Sequence, residues 1–193
     1  MGKNRPVGWK PGSRTRLEQL FKKLGILQVL IDTQEGRGLI NEVAYRIVSE
    51  HAPKERPLYV GIRDRYFADP EQFLESSESV ENPLDAGEII ALVTLTEVVF
   101  PVVVSILSYV AIEVGKALTG KVSGELSQEA VQWTKSLFSE PVKKPLFTQE
   151  QLEVIAKTIQ EITQSEARVQ GIELIKVMPV SDSVIARLAL AKK

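Results

Sequence analysis

Hydrophobic positions along this chain recur mostly at helical spacing. Leu17, Leu20, Leu24, Leu27 and Ile31 fall three and four residues apart, predicting a helix from about residue 13 with one apolar face. Gly25 weakens it slightly. Gly36-Arg37-Gly38 then predicts a turn. A second helix to about Glu50 carries the stripe Leu39, Ile40, Val43, Ala44, Ile47 and Val48, and Pro53 closes it. A short loop between the two predicts an antiparallel helical hairpin.

Residues 58–62, LYVGI, are β-prone and preceded by Pro57, so they read as a strand. Asp69-Pro70 is a helix start, with Asp as N-cap and Pro in the first helical position, opening a short helix to Glu75. The polar stretch SSESVEN, 76–82, reads as a linker.

Residues 89–112 form the dominant feature. This run of 24 contains one charge, Glu97. It is long enough to span a bilayer and equally suits a fully buried central helix, with Glu97 near the helix edge. Asn82-Pro83, with Asp85 and Glu88 behind it, predicts a helix that starts near Pro83 and enters the run. Pro101 should kink or split it. The run is rich in β-branched residues, so two buried strands broken at Pro101 are the competing expectation.

Residues 127–138 read as a further helix, ended by Pro141 and Pro145. Thr148 and Gln151 make a capping box for the next, whose apolar positions are Leu152, Ile155, Ile159 and Ile162. Residues 169–190 break the pattern. IELIKVMPV, the polar SDS and VIARLALA predict a terminal β-hairpin, with Asp182 as N-cap of a last helix as the alternative. The fold class expected is thus mainly α within α+β. A helical bundle surrounds a central apolar helix and carries a small C-terminal β-hairpin. Residues 13–193 form one domain, and residues 1–12, with two Pro and three Gly, form a flexible basic arm.

The 193 residues contain 44% hydrophobic residues, sufficient for a core, and a net charge of −1, which calls for no polyionic partner. There is no Cys, which removes disulfides, thiolate chemistry and cysteine-held metals, and fits a reducing cytoplasm. The basic start lacks a following apolar region, so no secretory signal is expected. Pro6 occupies the place a myristoylation signal gives to Ser or Thr.

Charge is segregated. Residues 1–23 hold seven basic side chains against Glu18, and residues 63–88 hold eight acids against Arg63 and Arg65. Lys3, Arg5, Trp9, Lys10, Arg14 and Arg16 are the candidate contacts for an anionic surface. No nucleic-acid readout motif accompanies them.

Catalytic chemistry finds little support. His51, the single histidine, sits at a helix end where it complements the dipole. Asp64, Asp69 and Glu71 lack the alternation and glycine of a calcium loop. Gly36-Arg37-Gly38 is too short to cradle phosphate, and Ser76, Ser77 and Ser79 have no base nearby. No cofactor, no metal and no enzymatic activity are expected.

Residues 111–138, AIEVGKALTGKVSGELSQEAVQWTKSLF, resemble a segment of uncharacterised bacterial proteins that accompany signalling or conflict-system NTPases and proteases. A small-residue helix there leads into a Trp-x-x-x-Leu-Phe ending, matched by Trp133, Leu137 and Phe138. The resemblance implies an accessory role and assigns no functional residue. The function expected is a non-enzymatic adaptor that binds a protein partner or itself in the cytoplasm. A membrane-embedded or membrane-docking effector using residues 89–112 is the alternative.

Overall fold

Helix α1, Gln34–His51, forms around the predicted stripe, and all six residues of that stripe are buried. Thr33 caps it, its Oγ1 accepting from the Gly36 N–H at 3.1 Å. The computed structural model describes residues 30–70, 72–74, 94–119, 128–139 and 146–190. Residues 13–29 of the predicted first helix, and hence the predicted hairpin, lie outside these, but 30–32 are helical and Leu30 is fully buried. The expected turn at Gly36-Arg37-Gly38 is instead part of α1. Gly36 has a different purpose. A Cβ there would run into the Leu30 carbonyl oxygen, so only glycine lets the preceding segment fold back across the helix. Arg37 Nε donates to the Ile31 carbonyl and fixes that return.

After one 3-10 turn at Pro53–Glu55 the chain enters α2, Arg56–Ala68. This overturns the strand expected at 58–62. Pro57 lies in the first turn, where a missing N–H is tolerated. Tyr59, Ile62 and Tyr66 then fall on one buried face at helical spacing, while Leu58 and Val60 are exposed. A strand would have put residues 58, 60 and 62 on one side. Asp69 caps the next start as expected, its Oδ1 accepting from Gln72 N at 2.9 Å.

The central helix α3 spans Leu95–Thr119 without interruption. The alternative of two strands is therefore wrong, and Pro101 is accommodated inside the helix. The β-branched residues that argue against helix in water are buried here from all sides, and packing outweighs propensity. The described helix begins at a cap within the apolar run. Thr94 N donates to Glu97 Oε2 at 3.0 Å and Glu97 N to Thr94 Oγ1 at 3.3 Å, a reciprocal box. The run's one charge is thus a capping group at the helix edge. Residues 75–93, with the start expected at Pro83, lie outside the described part.

A second carboxylate joins from a distant turn. Glu55 accepts from Leu95 N at 3.3 Å, Thr96 N at 2.8 Å and Thr96 Oγ1 at 2.8 Å. It satisfies amide donors that no helical carbonyl can reach.

Helix α4, Gln128–Ser139, matches the sequence expectation within a residue and packs on α3 and α1. Its end is held by neighbouring helices. Arg46 Nη2 donates to the Phe138 carbonyl at 3.0 Å and Arg187 Nε to that of Leu137.

Helix α5, Gln149–Val169, opens with the predicted box. Gln151 N donates to Thr148 Oγ1 at 3.3 Å, and Thr148 N donates to Gln151 Oε1 at 2.8 Å. Ile155, Ile159 and Ile162 are buried and Leu152 packs against the core. Thr148→Ala should lower stability by about 0.5–2 kcal/mol. An unmoved denaturant midpoint would show that the cap is not used in solution.

The C-terminal β-hairpin does not form. Among the described residues there is no strand, only an isolated bridge at Phe147. Residues 174–189 are helix α6, Leu174–Ala189. Gly171, with φ +64°, ends α5: Ile172 N donates to Ala167 O at 2.8 Å and Gly171 N to Arg168 O at 3.3 Å. That is a glycine-terminated helix end. Val177, Val180, Ser181, Val184 and Leu188 then form the buried stripe of α6. The last helix of the alternative does form, but it starts at Leu174, and Asp182 is exposed in mid-helix rather than its N-cap. α6 packs along α5, and both pack against α3.

Candidate interaction surface

The inner polar groups serve the bundle. Phe100 of α3 sits among Tyr59 and Tyr66 of α2, with ring centroids 5.4 and 5.3 Å away, and Phe67 at 6.0 Å. Tyr59 Oη donates to the Asn41 carbonyl at 2.8 Å. Burial pushes the phenols of Tyr59, Tyr66 and Tyr109 above the ordinary tyrosine range. Arg63 opposes the rise at Tyr59, while the Glu166 carboxylate adds to it at Tyr66. Thr158 opposes it at Tyr109 by hydrogen bonding.

A raised phenol keeps its proton in the folded state after the unfolded chain has lost it. Its stabilisation is therefore complete below about pH 10 and declines as pH rises further toward the folded value. Denaturant midpoints should accordingly hold from about pH 8 to about pH 9 and fall once the pH passes about 10. Tyr66→Phe should make that fall shallower. An equal fall in the variant would mean that Tyr66 is not held protonated.

His51 makes the one serine–histidine contact seen among the described residues. Its Nε2 lies 3.2 Å from Ser183 Oγ and 4.0 Å from a Glu50 carboxylate oxygen. A proton relay needs the acid on the other ring nitrogen, so that Nε2 is left to the hydroxyl. Here both partners meet the same nitrogen. The contact ties the last turn of α1 to α6.

Among the described residues no cluster of three or more His, Asp or Glu side chains could hold a metal ion. Asp64 pairs with Arg63 at 2.7 Å and Asp69 is a cap. Glu71, Ser76, Ser77 and Ser79 lie outside the described residues, as do Lys3, Arg5, Trp9, Lys10, Arg14 and Arg16. Trp133, Leu137 and Phe138 contribute to packing: Leu137 and Phe138 are buried and Trp133 lies against the core.

What remains is the outer surface, where α5 and α6 differ. The outward side of α5 is polar over most of its length, with Glu150, Glu153, Lys157, Gln160, Glu161, Gln164 and Arg168 exposed. The outward side of α6 carries Ile175, Met178, Ala186 and Ala189, with Asp182 among them, and Leu190 follows at its C-terminal end. Ile175 is 70% exposed and Leu190 64%. Val169 and Leu174, also exposed, flank the connecting turn. At the other end of the pair, Leu152, Ile155, Ala156, Ile185, Leu188 and Ala189 line an apolar cleft of about 40 Å³. Val154, 62% exposed, lies in the same turn of α5 as that cleft. Sequence reasoning missed this face because it placed these residues in strands. The signal was Gly171 followed by buried positions 177, 180, 184 and 188 at helical spacing.

No protein-family model, curated protein or solved structure matches this chain.

Proposed function

We propose that this chain is a non-enzymatic interaction module, an accessory or adaptor protein that contacts a protein partner or a second copy of itself through the outward face of α6. The observation that carries the reading is the exposure of Ile175 and Met178 on α6, and of Leu190 just after it, beside a neighbour whose outer side is polar apart from Val154 and Val169. Grouped apolar side chains left in water are characteristic of contact surfaces.

The test is a photoreactive residue at position 175, activated in the expressing cell, with sedimentation of the purified chain over a range of concentrations. A protein adduct, to itself or to another chain, is expected. Met178→Glu should remove it while leaving the thermal transition in place. Adducts to lipid alone, or none, would overturn the reading.

A membrane-docking or membrane-embedded effector is the second reading, favoured by α3. Leu95–Leu118 is long and apolar enough to cross a membrane, with hydropathy of 2.1 in its most apolar window. Yet 72% of that window is buried by the other helices, which accounts for its apolarity in a bundle core. Salt-sensitive co-sedimentation with anionic vesicles, weakened by deleting residues 2–12, would favour the membrane reading instead.

A further inference from the structure

We draw no further inference here: the strongest candidate, the apolar cleft between the start of α5 and the end of α6 near Val154 and Leu190, adjoins the surface already described, and nothing in the structure shows what covers it.

Discussion

Val103→Asp should leave no cooperative unfolding transition. Val103 is wholly buried in the middle of α3, which packs against every other named helix. A carboxylate there loses its hydration and gains no partner, at a cost of several kcal/mol even after relaxation. A domain of this size has only about 5–15 kcal/mol of stability in total. The wild-type chain should purify without detergent and melt in one step, while the variant should be recovered aggregated or without a melting transition. Should wild type need detergent and Val103→Asp prove soluble and folded, α3 would not be the core of a soluble bundle.

Phe100→Ala should be the next most damaging change. Its ring is fully buried and stacks on Tyr66 at an interplanar angle of 20°, with Tyr59 and Phe67 beside it. Removing it leaves a cavity where α2 meets α3, and truncations of this kind destabilise by about 3–5 kcal/mol. Phe100→Leu fills more of the space and should lose distinctly less. Chemical denaturation of the three proteins gives the comparison. A loss for Phe100→Ala of less than about 1 kcal/mol would mean that α2 is not seated on α3 as described.

The parts of the fold that could be read from sequence are those whose causes are local. The stripe from Leu39 to Val48 repeats over three turns, and each of its members is buried. Thr148 and Gln151 are three residues apart and cap each other as their types demand. The failures have physical reasons as well. Five residues, 58–62, are too few to separate a period of 2 from one of 3.6. Pro57 read as a fence when it was an early helical position. In residues 169–190 the polar SDS looked like a turn, although the real turn is at Gly171. Within the apolar run, Thr94 and Glu97 had the same spacing as the α5 box, but the surrounding hydrophobicity hid it.

The exposed apolar face on α6 was lost with that one error of period, since a helix and a hairpin expose different residues. Charge segregation pointed instead to Lys3, Arg5, Trp9, Lys10, Arg14 and Arg16, which the described residues do not include. Arg46 and Arg187 at the end of α4 left no local trace. Their acceptors lie 92 and 50 positions away in the chain.

Glu55 carries a consequence for how the chain assembles. Part of the cap on α3 comes from 40 and 41 positions earlier, on the turn between α1 and α2. The first turn of α3 therefore cannot be completed by the helix alone. Helix nucleation is the unfavourable step, and here a chain-distant group helps to complete it. The segment holding Glu55 must first be brought near, and closing so long a loop slows folding relative to a bundle stitched only by neighbours. The most hydrophobic helix in the described chain is thus bound at its start to the turn between two of the helices that hide it.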